Sequence, residues 1–147
     1  MTLIQETINL SDMGQRAKDA AFSLAKLTTE QKNAALLTIA DLLDARRQAI
    51  FEANAQDLSV AREKGTDPIW IRDRLDLTRR LDGIIEDVRH VASLPDPVGK
   101  EYDEQQLASG ITRKRRRVPV GVLGVIYESR PNVTIDISTL AFKTGNA

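Results

Sequence analysis

Apolar residues recur at helical spacing along most of the first 97 positions. From Met13 onward the residues at i, i+4, i+7, i+8 and i+11 are apolar, which predicts an amphipathic helix capped by Ser11 or Asp12. A second helix is expected behind Thr28 and Gln31, which have the spacing of a capping box. The apolar face of this second helix consists of Leu36, Ile39, Ala40 and Leu43.

The pattern predicts further helices up to residue 97. Two short helices are expected at about 45–51 and 54–64, the second ended by Gly65 in a left-handed conformation. A longer helix is expected behind Thr78 as its cap, and the run Pro95-Asp96-Pro97 ends it because proline lacks the backbone N–H. The apolar stripe of this helix is Leu81, Ile84, Ile85, Val88 and either Val91 or Ala92.

The helical spacing of apolar residues ends at Val98. Residues 98–110 are polar with two glycines, which predicts an extended segment or hairpin arm, and residues 111–118 follow as a basic strand. The five basic residues 113–117 are compatible with a nucleic-acid or phosphate patch. They are also compatible with a solvated strand whose charges deter edge pairing or meet acidic groups of a neighbouring subunit. The lack of interleaved aromatic residues favours the solvated strand.

The last thirty residues contain a continuous apolar run. Residues 122–126 are too uniformly apolar for a half-exposed strand, so a strand buried on both faces is expected, as in a parallel α/β sheet. A turn at residues 127–132 and a helix ended by Gly145 follow. Ligands bind at the carboxyl ends of strands in open α/β sheets, and a helix N-terminus suits an anion. From spacing alone, a plain β-to-α connection is an equal alternative.

Composition narrows the possible functions of the chain. Its 147 residues are the size of one domain, and its 21 basic and 21 acidic side chains balance, which argues against a nucleic-acid or membrane-surface role. With no cysteine and a single histidine, neither a thiolate nor a His-rich metal site is expected. No apolar run approaches the ~18 residues of a membrane span, so a cytoplasmic location is expected. The lone His90 is expected at the surface.

The run VPVGVLGVIYESRPNVTIDISTLAFKTGNA (residues 118–147) closely resembles the γ-glutamyl phosphate reductase family, also called glutamate-5-semialdehyde dehydrogenase. YESRPNV and KTGNA are its most specific parts. More distantly, the run is similar to aldehyde dehydrogenases, which share a PVGV-type strand and a helix ending in Gly-Asn. The resemblance extends to residues 54–57, 73–78, 96–99 and 115–119.

The resemblance implies an α/β fold: N-terminal helices plus the first strand-turn-helix of a Rossmann-like aldehyde-dehydrogenase fold, truncated. Residues 1–97 would be the helical part of the cofactor-binding domain, 98–118 a β-arm for oligomerisation, and 119–147 the first, incomplete β-α unit. A homo-oligomer is therefore expected of the full-length enzyme. Because one parallel strand cannot form a sheet, the chain is expected to be an N-terminal fragment.

The family reduces L-glutamate 5-phosphate (γ-glutamyl phosphate) to glutamate 5-semialdehyde with NADPH and releases phosphate, in proline biosynthesis. A cysteine thiolate in that family displaces the phosphate before hydride transfer. Since this chain contains no cysteine, the resemblance implies that the chain is inactive alone. The expected partner is this small-molecule substrate, without nucleic acid, membrane or metal.

The resemblance also implies site residues. Aldehyde dehydrogenases have an oxyanion-donating asparagine in the turn; strict register puts Arg130 at that place, with Asn132 two residues later, and either could polarise the acyl oxygen or hold the departing phosphate. The segment that lies along the nicotinamide-ribose of the cofactor is matched by Ile126, Tyr127, Glu128 and Ser129.

Two alternatives stand beside this hypothesis. The chain could belong to another acyl-reducing member of the aldehyde dehydrogenase superfamily. It could also be a non-catalytic helical interaction module whose basic strand binds an acidic partner.

Overall fold

The computed structural model describes residues 9–128 and 130–147. Within these residues no helix is both long enough and apolar enough to cross a membrane. The elements in chain order are α1 (Leu10–Leu24), α2 (Thr29–Ala45), α3 (Arg47–Glu63), α4 (Pro68–Trp70), a π-helical turn (Ile71–Leu75), α5 (Leu81–Ser93), β1 (Glu101–Gln106), β2 (Thr112–Arg116) and α6 (Pro131–Lys143).

The first helix begins earlier than predicted. Its cap is Asn9, whose side-chain oxygen accepts hydrogen bonds from the amides of Ser11 and Asp12 at 3.1 and 3.3 Å. The predicted caps, Ser11 and Asp12, are therefore wrong, because Asn9 already satisfies the first free amides of the helix. None of the residues of α1 is buried.

The core lies between α2 and α5, with α6 packed against it. The capping box of α2 is confirmed: the amide of Gln31 donates to Thr28 Oγ1 at 3.3 Å, and the amide of Thr28 donates to Gln31 Oε1 at 2.9 Å. The Thr78 cap is wrong, because its hydroxyl donates to Asp76 and α5 starts at Leu81. The buried cluster consists of Leu36, Ala40, Leu81, Ile85, Val88 and Ala92, which confirms the predicted stripes.

The third helix is continuous where two short helices were predicted. Nothing between residues 47 and 63 is glycine or proline, so no residue interrupts the hydrogen-bond ladder. The predicted stop at Gly65 is confirmed by its φ of +73° and by the Schellman bond from the amide of Thr66 to the carbonyl of Ala61, at 3.1 Å.

Residues 101–116 form an exposed antiparallel hairpin of β1 and β2, with a bulge at Asp103, whose φ is +57°. Two of the four basic side chains of β2 pair with acids of β1. Lys114 Nζ lies 3.4 Å from Glu101 Oε2 and 3.3 Å from Glu104 Oε2, and Arg115 Nε lies 3.0 Å from Asp103 Oδ2. The charge of the strand is therefore neutralised in part within its own hairpin.

Residues 118–128, called the extended segment below, form neither a helix nor a regular strand in the structure. The prediction that residues 122–126 form a strand buried on both faces is therefore wrong: Val122 is 43% exposed, and Ile126 is fully exposed. Burial on both faces requires close-packed neighbours on both faces, whereas within the described residues α1 and α6 border this segment along grooves. The observed architecture is thus helices plus a small two-stranded sheet. The Rossmann-like sheet stays a prediction.

Candidate functional site

A groove of about 540 Å³ runs beside the extended segment and leads to the first turn of α6. One wall is residues 123–127, and the other walls come from α1 and α6. The groove is lined by Leu10, Met13, Leu123, Gly124, Val125, Ile126, Tyr127, Val133, Thr134, Ile137, Ser138, Ala141 and Ala147.

The first turn of α6 is set by the Arg130–Pro131 pair. Proline disfavours a helical conformation in the residue before it, and Arg130 is extended, with φ −122° and ψ 96°. Pro131 then occupies the first helical turn, where a missing N–H is tolerated. The carbonyl of Arg130 accepts from the amide of Val133 at 3.1 Å. The remaining first-turn amide, that of Asn132, and the positive end of the helix dipole suit an anion.

The predicted cofactor-contacting residues lie at the mouth of the groove. Ile126 and Tyr127 line it, and the Tyr127 hydroxyl lies 2.5 Å from Thr134 Oγ1 on the first turn of α6. Glu128 is exposed. Ser129, the fourth predicted residue, lies outside the described residues. The structure therefore brings Ile126 and Tyr127 to the N-terminal half of α6.

Arg130 is exposed at the N-terminus of α6. Its side chain makes no capping hydrogen bond, and among the described residues it forms no ion pair with a carboxylate. A guanidinium offers a planar fork of donors that matches phosphate oxygens. Arg130 is therefore placed to bind an anion in front of α6.

Unlike the exposed Arg130, Asn132 is half-buried, and its side chain is bonded within its own helix. Its Nδ2 donates to Asp136 Oδ2 at 2.9 Å. Since the Asp136 carboxylate can only accept, this bond fixes which end of the amide faces it. The other end, Oδ1, is buried and has no hydrogen-bond partner among the described residues. The Asn-x-x-x-Asp spacing is the sequence signal that indicates this pair, and the spacing analysis missed it.

A buried charge cluster, also missed by the sequence analysis, fixes the far end of α6. Lys143 is 3% exposed, and its Nζ donates to the carbonyl of Ala92 at 2.9 Å and to Asn33 Oδ1 at 2.5 Å. Lys32, 2% exposed, pairs with Asp96. Burial lowers the pKa of Lys143, opposed by the nearby Asp96 carboxylate. These contacts tie α6 to α2 and to the end of α5, which sets where its N-terminus lies.

The residues after α6 hold the start of the extended segment. Asn146 Oδ1 accepts from the amide of Gly121 at 2.8 Å, and Asn146 Nδ2 donates to Thr144 Oγ1 at 2.8 Å. The amide of Ala147 donates to the carbonyl of Gly121 at 2.9 Å. Both ends of the segment are thereby fixed relative to α6.

The mouth of the groove fits one end of a nicotinamide cofactor. It offers an exposed extended backbone, the ring of Tyr127 and the first turn of α6, which suit a flat ring and its ribose. The spacing Gly121-x-x-Gly124 is not the glycine pattern that cradles a pyrophosphate. The nicotinamide and its ribose would therefore be the part of such a cofactor that these residues suit.

Similarity to curated proteins is high over nearly the whole chain. "Gamma-glutamyl phosphate reductase" of Photobacterium profundum is 57% identical over 141 residues, which is 95% of this chain and 34% of the relative. The protein of the same name from Chloroflexus aurantiacus is also 57% identical, covering 95% of this chain and 33% of the relative. No family model matches the chain.

Two solved structures share this fold. The γ-glutamyl phosphate reductase of Thermotoga maritima superposes with a TM-score of 0.88 at 39% identity, covering 93% of this chain and 33% of that one. The Saccharomyces cerevisiae enzyme superposes with a TM-score of 0.87 at 38% identity, covering 92% of this chain and 35% of that one. The chain thus spans about a third of the length of the relatives that it matches, and the resemblance found in its motifs is confirmed.

Proposed function

We propose that this chain supplies the N-terminal helices and the first β-α unit of a γ-glutamyl phosphate reductase, an oxidoreductase of proline biosynthesis. The observation that carries the proposal is Arg130, exposed at the N-terminus of α6 and without an ion pair among the described residues, in a chain 57% identical to reductases of that name. The substrate would be L-glutamate 5-phosphate, reduced to glutamate 5-semialdehyde with release of phosphate.

The proposed role of Arg130 is to bind the phosphoryl group. An acyl phosphate carries its negative charge on the phosphate, and the Arg130 guanidinium would stabilise that charge as the group departs. The free first-turn amide of α6, that of Asn132, would stabilise the oxyanion that develops on the acyl oxygen. Losing one such donor typically lowers the rate about 10²–10³-fold.

Asn132 is proposed as a positioning residue. Its bond to Asp136 keeps its Oδ1 buried, so this oxygen accepts a donor that completes the site and does not face the substrate phosphate. Between the two residues left open by the sequence, the geometry supports Arg130 for the phosphate.

NADPH would supply the hydride when bound. The exposed backbone from Ile126 to Glu128, with Ser129, would lie along its nicotinamide-ribose end, and the first turn of α6 would keep the reacting carbon close to it. The chain has no cysteine, so the nucleophile must come from another part of the enzyme. The chain alone is therefore expected to be inactive.

The exposed hairpin β1–β2 is proposed as the oligomerisation arm of the full-length enzyme, which we place in the cytoplasm as a homo-oligomer. Lys114 and Arg115 already lie against Glu101, Glu104 and Asp103. This internal pairing disfavours the alternative in which the basic strand captures an acidic partner protein.

A chimera tests the proposal. The matching third of the Photobacterium profundum reductase is replaced by this chain, and oxidation of glutamate 5-semialdehyde with NADP⁺ and phosphate is followed by absorbance. The expected result is turnover by the chimera and none by the chain alone. A folded but inactive chimera would reject the assignment, and turnover by the chain alone would reject its inactivity.

A further inference from the structure

A pair of hydroxyl groups joins the extended segment to α6 across the turn. The Tyr127 hydroxyl lies 2.5 Å from Thr134 Oγ1, and either atom can be the donor. Among the described residues, no other hydrogen bond connects residues 124–128 with α6. The pair therefore sets where the hydroxyl of Tyr127 lies relative to the N-terminal half of the helix.

The bond between the two hydroxyls leaves one donor over. Each hydroxyl carries one proton, and a single bond between them uses only one of the two. Neither oxygen has a further hydrogen-bond partner within the part of the chain that the structure describes. When Thr134 donates, the proton left over is on the phenol of Tyr127. When Tyr127 donates, the proton left over is on Thr134.

The first direction makes Tyr127 the better donor to a ligand. A hydrogen bond received by the phenol oxygen polarises the phenol O–H bond and strengthens the bond that it donates. The pair then forms a short chain, in which Thr134 donates to Tyr127 and Tyr127 donates to the ligand. Because Tyr127 is 47% exposed, its hydroxyl can reach a ligand at the mouth of the groove.

The surroundings of this donor indicate which kind of acceptor it suits. None of the residues that line the groove is charged. A neutral hydroxyl suits a neutral carbonyl oxygen, whereas an anionic phosphate is better matched by the guanidinium of Arg130. The ring of Tyr127 adds a flat apolar surface with the donor at its edge. A planar ring that carries a carbonyl group, such as nicotinamide with its carboxamide, has the matching chemistry.

We propose that the Tyr127 hydroxyl binds the carboxamide oxygen of the nicotinamide and that Thr134 is a positioning residue, which holds and polarises this hydroxyl. The inference rests on the proposed function, from which it takes the cofactor. It adds Thr134 to the site and assigns a recognised atom to Tyr127. Ser138, one turn further on, has no such role, because its hydroxyl donates to the carbonyl of Thr134 at 2.6 Å.

Cofactor binding by the chimeric reductase tests the proposal. Isothermal titration calorimetry measures the Kd of NADP⁺ and of its thionicotinamide analogue, whose sulfur is a poor hydrogen-bond acceptor. The unmodified chimera should bind NADP⁺ about 5-fold more tightly than the analogue, as expected for one neutral hydrogen bond. Tyr127→Phe keeps the ring, weakens NADP⁺ binding and should make the two Kd values equal. Weaker binding of both cofactors with the preference intact would mean that the hydroxyl only supports the fold, and would overturn the proposal.

A conservative series tests Thr134. Thr134→Val removes the hydroxyl and keeps the branched shape, so the preference for NADP⁺ over the analogue should fall. Thr134→Ser keeps a hydroxyl and should restore the preference. The matched control is Thr38→Val, which removes an exposed hydroxyl that donates to the carbonyl of Ala34 in α2 at 2.9 Å and should change neither Kd. An unchanged preference in Thr134→Val would reject the positioning role.

The experiment separates this inference from the proposed function. A folded unmodified chimera that binds neither cofactor would reject the proposed function, and the inference with it. A chimera that binds NADP⁺ and the analogue equally well, or one that keeps its preference after Tyr127→Phe, would reject the inference alone.

Discussion

Gly145 packs so closely against the ring of Pro119 that a β-carbon at position 145 would lie 2.9 Å from Pro119 Cγ. This contact joins the residue that ends α6 to the start of the extended segment. Together with the bond between Asn146 and Gly121, it makes the position of the segment depend on the end of α6. The site at the N-terminus of α6 therefore depends in part on contacts at the C-terminal end of the helix.

Gly145→Ala is expected to destabilise the chain more than Gly65→Ala. Both glycines have positive φ, +74° and +73°, so alanine is strained at about 1 kcal/mol or more in either place. A β-carbon at Gly65 meets nothing within 4 Å, whereas one at Gly145 meets Pro119. Urea unfolding should show an additional loss of about 1–3 kcal/mol for Gly145→Ala. Equal losses would show that the contact with Pro119 relaxes freely.

Asp96→Asn is expected to lower the free energy of unfolding by about 3 kcal/mol, because it leaves the buried ammonium of Lys32 without its counter-charge. The matched control is Asp41→Asn, which breaks a 2.7 Å ion pair with Arg89 between exposed side chains and should change stability little. Urea titrations measure the free energy of unfolding of both variants. A loss for Asp96→Asn no larger than that of the control would contradict the prediction.

The same aspartate predicts a pH dependence. Burial raises the pKa of Asp96, but Lys32 and the donors Val98 N and Thr29 Oγ1 outweigh this and hold it below the ordinary 3.8. A carboxyl whose pKa is lower when folded contributes stability that is complete above 3.8 and is lost as the pH falls through the folded pKa. Below pH 4, stability measured by urea unfolding should therefore fall more steeply for the unmodified chain than for Asp96→Asn. Parallel curves would contradict this.

Asn54→Ala is expected to lower the free energy of unfolding by about 2 kcal/mol. The buried Asn54 amide donates to the carbonyl of Leu75 and accepts from the amide of Leu77, both at 3.0 Å, so its removal leaves both backbone groups unsatisfied. Gln56→Ala, on the exposed side of the same helix, is the control. Thermal unfolding of the two variants should differ clearly, and similar melting temperatures would show that water replaces the amide.

Local signals in the sequence were enough to predict much of the helical layer. The Thr28–Gln31 capping box and the Gly65 stop each depend on residues within one or two turns, so short-range patterns predict them. The break between residues 51 and 54 was predicted without a glycine or proline to cause it, and the structure has none. Local pattern did not always decide correctly, since the caps predicted at Ser11 or Asp12 and at Thr78 were wrong although their hydrogen bonds are local.

The candidate site could be predicted only in part. The position of the turn before α6 follows from Pro131 and the apolar run before it. The burial of residues 122–126 depends on which elements cover them, and no local pattern contains that information. The different surroundings of Arg130 and Asn132 likewise depend on Asp136 one turn away and on the walls around Oδ1. The Lys32–Asp96 pair joins elements 64 positions apart, too far for spacing arguments.

The phosphate affinity of the chimeric reductase tests the central claim most directly. Arg130→Ala in the chimera should raise the KM for phosphate at least about 10-fold in the direction that consumes it, since a charge-assisted contact is lost. Arg130→Lys should give a phosphate KM between those of the unmodified chimera and Arg130→Ala. Arg113→Ala, on the exposed hairpin, should leave the phosphate KM unchanged. If Arg130→Ala keeps both the phosphate KM and the kcat of the chimera, Arg130 does not bind the phosphoryl group, and the account of this site is wrong.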